Sequence, residues 1–194
     1  MQIHRAVIRN GKNIVVAVTA ASGAIYARLT LEALLRSSDV GHIALIYSTH
    51  AAEVAEFEDE RMPEDERISV YRNDDMFAPP ASGSAAFDAM IVVPCSAGTL
   101  GRIASGVSQT LIERAADVML KERRPLVLAL REAPYSLIHL RNMATVTECG
   151  AVVIPASPSF YSRPKSFEEL CGTVVERILQ HAGVESEHYE WKGR

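Results

Sequence analysis

Five short and almost continuously apolar runs recur along the chain, at residues 13–19, 42–48, 89–94, 125–130 and 151–155. They are built from Val, Ile, Leu and Ala rather than from alternating apolar and polar residues. That pattern is typical of strands buried on both faces, as in a parallel sheet covered by helices. A sixth run at residues 67–72 is shorter and more polar, and it predicts an additional strand.

Helical patterns fill the intervals between these strands, at residues 24–36, 50–58, 109–121, 136–148 and 166–182. In the last interval Ser166 and Glu169 have the spacing of a capping box. Strand–helix alternation of this kind predicts an α/β fold, a three-layer Rossmann- or flavodoxin-like sandwich with a mostly parallel central sheet and right-handed crossovers. We expect one domain over residues 1–194, with its core at about 13–182 and a tail at about 183–194.

One irregular stretch, residues 73–88, is longer than the other connections. A loop of that length in a compact domain is usually functional or mobile.

Composition narrows the class of protein. The formal net charge is −4 and no run of Lys or Arg suggests contact with a phosphate backbone, KERR at 121–124 being the densest basic cluster, which argues against a nucleic-acid binder. Three widely spaced cysteines, Cys95, Cys149 and Cys171, suggest neither a disulfide framework nor a zinc site and favour a cytoplasmic protein. His50 and His139 lack a partner at metal-binding spacing, so no metal is expected. No apolar run approaches membrane-spanning length, and residues 1–12 lack the apolar stretch of a signal peptide.

Small, hydroxyl-bearing or charged residues follow each of the five main strands, in the order TAASGA, STHA, CSAGTL, REAPYS and ASPSFYSRP. Because ligands of an open parallel sheet bind beyond the carboxyl ends of its strands, we expect a site there. The first loop contains one glycine rather than the three of a dinucleotide loop, and CSAGTL repeats its small and hydroxyl-bearing residues, so the two loops together favour a phosphorylated ligand. Each loop alone is equally typical of a helix cap, and Ser22 is predicted either to cap the helix or to bind a phosphate oxygen.

Charged residues extend this prediction. Arg131 and Glu132 directly follow a buried strand, where they suit anion binding and proton transfer. Arg114 and Lys121 lie seven residues apart and so on roughly the same helix face. Cys95 has no histidine at an interpretable distance and is read as a small buried hydrophobe.

Several of these motifs together resemble one known family. TAASGA, NDDMFAPPASGS, VPCSAGTLGRIASG, LIERAADVMLKERRPLVLALREAPYSLIHLRNM and GAVVIPASPSFYSRPKSFEEL are similar to the flavin prenyltransferases, the UbiX/Pad family of homo-oligomeric flavin-containing proteins. The resemblance runs from about residue 13 to about residue 182, and its most specific part is the run from Leu111 to Met143.

The resemblance implies an activity. Such proteins join a dimethylallyl group, from dimethylallyl phosphate, to N5 and C6 of reduced FMN. The prenylated FMN then serves a UbiD-type decarboxylase. The family needs no metal and assembles as a homo-oligomer, a dodecamer. What the resemblance implies for this chain is therefore an FMN-binding transferase without a metal, a membrane span or a nucleic-acid partner.

The resemblance also implies site residues, carried over by motif. Ser22 and Glu132 would take part in proton transfer. The flavin would be lined by Ala20, Ala21, Ser22, Ser48, Ser96, Ala97, Gly98, Thr99 and Arg131. The substrate phosphate would meet Glu58, Arg114, Lys121, Glu132, Tyr161 and Arg177, with several of these contacts supplied by neighbouring subunits.

The chain departs from the family pattern at a few positions. Ala20 stands where the first loop usually has glycine, Asp75 where many relatives have an aromatic residue, and Thr49 and His50 where relatives often have Lys and Ala. Two other functions stay open at this point. One is an FMN-dependent cysteine-type decarboxylase, although PPASGS lacks the asparagine expected of its substrate motif. The other is a non-enzymatic FMN carrier.

Overall fold

A six-stranded, wholly parallel sheet forms the centre of the protein in the computed structural model, which describes residues 11–186. Its spatial order is β3-β2-β1-β4-β5-β6. The strands are β1 (Lys12–Val18), β2 (Val40–Tyr47), β3 (Ile68–Tyr71), β4 (Ala89–Cys95), β5 (Leu126–Leu130) and β6 (Val152–Pro155). The predicted α/β fold and its additional sixth strand are confirmed.

Helices cover both faces of the sheet. They are α1 (Ala24–Arg36), α2 (Ala51–Phe57), α3 (Ala97–Ala104), α4 (Leu111–Lys121), α5 (Leu137–Glu148) and α6 (Phe167–His181). Successive residues of β1 point to opposite faces. Ile14 and Val16 belong to the core with α1 and α6, whereas Val15 and Ala17 belong to the core with α3 and α4. The continuous apolar runs therefore reflect strands covered on both sides.

The pattern of apolar residues located five helices to within about two residues but missed α3. This helix has only eight residues and contains Gly98 and Gly101, which lower helix propensity. Two short 3-10 turns, Pro79–Ala81 and Gly83–Ala85, also lie inside the stretch predicted as irregular.

Two local predictions are now visible in detail. The hydroxyl of Ser166 accepts from the N–H of Glu169, as expected for a cap. The Glu169 carboxylate, however, accepts from the N–H of Lys165 at 2.6 Å, one residue earlier than in a capping box.

Cys95 is fully buried, and burial raises the pKa of its thiol to about 12, as suits a hydrophobic residue rather than a nucleophile. The predicted lead-in before residue 11 and the tail beyond residue 186 lie outside the described residues.

Candidate functional site

The strand order reverses between β1 and β4, and open α/β sheets bind their ligands in the crevice at such a point. Thr19, the first residue after β1, joins the two strand ends. Its hydroxyl donates to the carbonyl of Pro94 at 2.7 Å and accepts from the N–H of Ser96 at 2.9 Å. Thr19 was not predicted as a site residue. A hydroxyl at the end of a buried strand is the signal that could have identified it.

The loop after β1 gathers several predicted flavin contacts. The N–H of Ala20 donates to the hydroxyl of Ser48, which follows β2, at 3.1 Å. Ala20 and Ser22 are exposed, and the N–H and hydroxyl of Ser22 make no hydrogen bond to any residue in the described range 11–186. Ala20 does not have the positive φ that would require glycine. This loop therefore offers small residues and free donors to a ligand.

Glu58 holds the start of α1. Its carboxylate accepts from the N–H of Gly23 at 2.9 Å and from that of Ala24 at 2.7 Å. Gly23 is the N-cap, with φ of 104°, and no side chain of its own caps the helix. The interpretation of Ser22 as a helix cap is therefore wrong, because a carboxylate from beyond the end of α2 already occupies the N–H groups it would have bound.

The loop after β4 is organised differently. Ser96 is the N-cap of α3, and its hydroxyl accepts from the N–H of Thr99 at 3.2 Å. The Ser96 and Thr99 hydroxyls also lie 3.0 Å apart in a hydrogen bond. The N–H groups of Ala97 and Gly98 belong to the first turn and have no intrahelical partner. They are donors available to an electron-rich ligand.

Behind this loop lies an ion pair that the sequence did not single out. The Nε of Arg102 donates to Glu113 at 2.5 Å, and its Nη2 donates to the Thr99 hydroxyl at 3.1 Å. Glu113 is only 3% exposed and also accepts from the N–H groups of Gln109 and Thr110. The capping box of α4, formed by Thr110 and Glu113, was the available signal.

Arg131 and Glu132 follow β5, beside β4, as predicted. The N–H of Arg131 donates to the carbonyl of Cys95 at 3.0 Å, which fixes this turn against the end of β4. The side chain of Arg131 is exposed, and the Glu132 carboxylate accepts from the N–H of Ala133 at 3.0 Å. Both residues therefore lie at the edge of the sheet that carries the two ligand loops.

Arg114 and Lys121 lie further from the crevice. Arg114 donates to the carbonyl of Ala81 at 3.0 Å and pairs with Asp117 at 2.6 Å, so it is tied to the 73–88 stretch. Lys121 pairs with Glu122 at the end of α4. At about 1.5 Å of rise per residue, Lys121 lies about 15 Å along the helix from its first residue.

Arg177 lies on the opposite face of the sheet. It is exposed on α6, where it contacts Gln180 and His181, and α6 shares its core with α1 rather than with α4. Tyr161 is 74% exposed in the segment after β6. One chain therefore brings the flavin-loop residues together but does not bring Lys121 and Arg177 to one point.

The donors at the crevice fit a flavin mononucleotide. The first loop offers the N–H and hydroxyl of Ser22 to a single phosphate, and the second offers first-turn N–H groups and small residues to a flat ring.

Within residues 11–186, no group of three His, Cys, Asp or Glu side chains is arranged to hold a metal. None of the helices in that range is both long and apolar enough to cross a membrane.

Comparison with known proteins gives consistent results. The family described as Flavoprotein matches residues 4–179. A flavin prenyltransferase UbiX from Methanocaldococcus jannaschii is 43% identical over 89% of this chain and 94% of that protein. The structure of AnUbiX (PadA1) in complex with FMN and dimethylallyl pyrophosphate is 42% identical, with a TM-score of 0.85 over 94% of this chain and 100% of that one. A dodecameric FMN-dependent UbiX-like decarboxylase from Escherichia coli O157:H7 is 36% identical, with a TM-score of 0.85 over 93% of this chain and 100% of that one.

Proposed function

Since this chain belongs to the flavoprotein family and, within it, to the UbiX flavin prenyltransferases, we propose that it joins a dimethylallyl group from dimethylallyl phosphate to N5 and C6 of reduced FMN. The observation that supports this most directly is the crevice between β1 and β4. The hydrogen bonds at this point join Ala20 to Ser48 and Ser96 to Thr19, and the family motifs would assign the first three of these residues to the flavin. The product, prenylated FMN, would serve a UbiD-type decarboxylase in the cytoplasm.

The two loops at the crevice divide the binding of FMN between them. Ser22 and Ser48 suit the phosphate, since their hydroxyls lie beside the exposed Ala20 and the half-buried Ala21. The residues from Ser96 to Thr99, together with Arg131, suit the ring. Reduced FMN supplies the nucleophilic atoms, and the protein's task is to orient both ligands and to keep water away from the allylic group.

Departure of the phosphate is the step that needs charged side chains. Breaking an allylic C–O bond places negative charge on the leaving oxygen, and Arg114, Lys121 and Arg177 would stabilise it. Tyr161 would add a hydrogen-bond donor. Glu132 would hold or deliver a proton at a phosphate oxygen, with Ser22 in the same relay.

This phosphate site needs more than one subunit. Within one chain Arg177 and Lys121 lie on opposite faces of the sheet, so they cannot both reach one phosphate at the crevice. Exposed apolar side chains on α5, such as Leu137 at 60% and Ile138 at 67% exposed, offer a contact surface. We therefore expect a homo-oligomer, a dodecamer, in which neighbours complete each site. The dodecameric relative supports that expectation.

The direct test is anaerobic incubation of the protein with reduced FMN and dimethylallyl phosphate, followed by mass spectrometry of the extracted flavin. A flavin heavier by one dimethylallyl unit is the expected product. Bound but unmodified FMN would contradict the proposal. The same assay with dimethylallyl pyrophosphate decides between the two donors, and we expect the monophosphate to react faster.

The variant Glu132→Gln distinguishes this activity from the alternatives. We expect it to abolish prenyl transfer while FMN still binds, because the amide cannot exchange a proton. A non-enzymatic carrier would deliver FMN equally well with either residue. A cysteine-type decarboxylase would instead oxidise a thiol substrate, and neither the PPASGS motif nor the relatives named for prenyl transfer favour it.

A further inference from the structure

We propose that Arg102 is a positioning residue of the flavin site, whose charge makes the protein bind reduced FMN more tightly than oxidised FMN. This inference rests on the proposed function, since it takes the loop after β4 as the place of the flavin ring. Neither the strand-end pattern nor the family motifs assign Arg102 a role. The role proposed for Arg102 comes from the contacts that its side chain makes with α3 and α4.

The guanidinium of Arg102 is held against that loop from one side. Its Nη2 donates to the Thr99 hydroxyl at 3.1 Å. Its Nη1 lies 3.4 Å from where a Cβ on Gly98 would be, which is van der Waals distance and places the guanidinium directly beside the loop. Thr99 in turn bonds Ser96, and Ser96 bonds Thr19. The charge is therefore fixed by the same hydroxyls that shape the crevice.

The location of this charge is unfavourable unless something compensates it. Arg102 belongs to the last turn of α3, but its guanidinium reaches back to Thr99 and Gly98 in the first turn, where a cation opposes the helix dipole. Glu113 provides part of the compensation, but it lies behind the loop, 3% exposed and bonded to backbone N–H groups at the start of α4. The Arg102 side chain is 47% exposed, and its guanidinium contacts Thr99 and lies beside Gly98 in the loop. A ligand over Gly98 is thus closer to the positive member.

Reduction makes the flavin ring more electron-rich, and the ring becomes anionic when its N1 proton is lost. A fixed positive charge beside the ring stabilises that form more than the neutral oxidised ring, which is how proteins adjust flavin electronics. A role confined to folding would change the affinity for both forms equally. A contact to the FMN phosphate would also affect both equally, because the phosphate is the same in each.

The test measures dissociation constants of oxidised and of anaerobically reduced FMN, by fluorescence, for the wild-type protein and three variants. We expect Arg102→Gln to lower the preference for reduced FMN about tenfold, which is about 30 mV for a two-electron couple. Arg102→Lys should retain most of the preference. Glu113→Gln should increase it, because the arginine is then less compensated. Arg36→Gln removes the same charge from the far end of α1 and should leave the ratio unchanged.

Arg102→Gln and Glu113→Gln are expected to shift the preference for reduced FMN in opposite directions. General damage to the fold would not produce opposite shifts, so the test distinguishes it from the proposed role. An unchanged ratio in Arg102→Gln, or equal weakening of both forms, overturns the inference, as does a shift of Glu113→Gln in the same direction. If the wild-type protein binds FMN with the expected ratios but forms no prenylated product, the proposed function fails and the role of Arg102 stands. If the wild-type protein binds no FMN, both fail.

Discussion

The loops after β1 and β4 are similar in sequence, small residues around a serine and a glycine, yet the protein supports them with opposite charges. Behind the first loop the carboxylate of Glu58 occupies the N–H groups that begin α1. Behind the second, a serine caps α3 and an arginine lies beside it. Helix N-termini attract anions, so the first is already satisfied and the second is made more positive.

The two loops therefore have different functions, although their sequence motifs are alike. In the first loop the serine is not needed to hold the helix, so Ser22 is available to a ligand. In the second loop Ser96 is committed to the helix, and the ligand meets backbone N–H groups and the nearby Arg102. Four substitutions test this division, and the effects on the free energy of unfolding are expected to decrease in the order given below.

Glu113→Ala is expected to have the largest effect. The substitution leaves two backbone N–H groups without a partner and removes the buried partner of Arg102. We expect the free energy of unfolding to fall by about 2–3 kcal/mol, less than for a wholly buried pair because Arg102 is half exposed. Urea denaturation measures it. Glu122→Ala, on the exposed end of α4, is the control, and an equal loss there would show that Glu113 has no special role.

The sheet was predictable because each strand is buried on both faces, which leaves a continuous apolar run in the sequence. The predicted flavin residues that the structure gathers follow those strands directly, as Ser48 and Ser96 do. Glu58 and Arg102 were harder to interpret, because their roles depend on which helix end lies beside them in space. Glu58 lies 35 residues from the Gly23 N–H it accepts from, and no local pattern encodes that contact.

The arrangement of Lys121 and Arg177 shows a second limit of the sequence. Their motif positions indicated a common phosphate, whereas the fold places them on opposite faces of one sheet. A property that depends on several copies of the chain leaves no periodic signal within one copy. The resemblance to an oligomeric family supplied that expectation instead.

Glu58→Ala is expected to lower the free energy of unfolding by about 1–2 kcal/mol, as loss of a helix cap does. The freed N–H groups of Gly23 and Ala24 should then accept an anion. Inorganic phosphate should therefore raise the melting temperature of this variant more than that of the wild type, which calorimetry can measure. Glu56→Ala removes an exposed carboxylate from the same helix and should do neither. Equal behaviour of the two variants would contradict the assignment of the cap.

Ser96→Ala tests the second loop in the same terms. The hydroxyl caps α3 through the N–H of Thr99, so its loss should cost about 1 kcal/mol. Ser105→Ala, at the other end of this helix, loses only an exposed hydrogen bond to the carbonyl of Gly101 and should cost less. Chemical denaturation of both variants gives the difference. A smaller loss for Ser96→Ala than for Ser105→Ala would show that α3 does not depend on its cap.

Ser22→Ala should have the smallest effect on stability, within about 0.5 kcal/mol of the wild type, because the serine is exposed and caps nothing. Its effect should instead fall on prenyl transfer, with turnover reduced about a hundredfold if the hydroxyl relays a proton. Single-turnover assays and denaturation of the same preparation measure both quantities. A loss of 1 kcal/mol or more would return Ser22 to the role of a helix cap. The two loops would then be alike in function as well as in sequence.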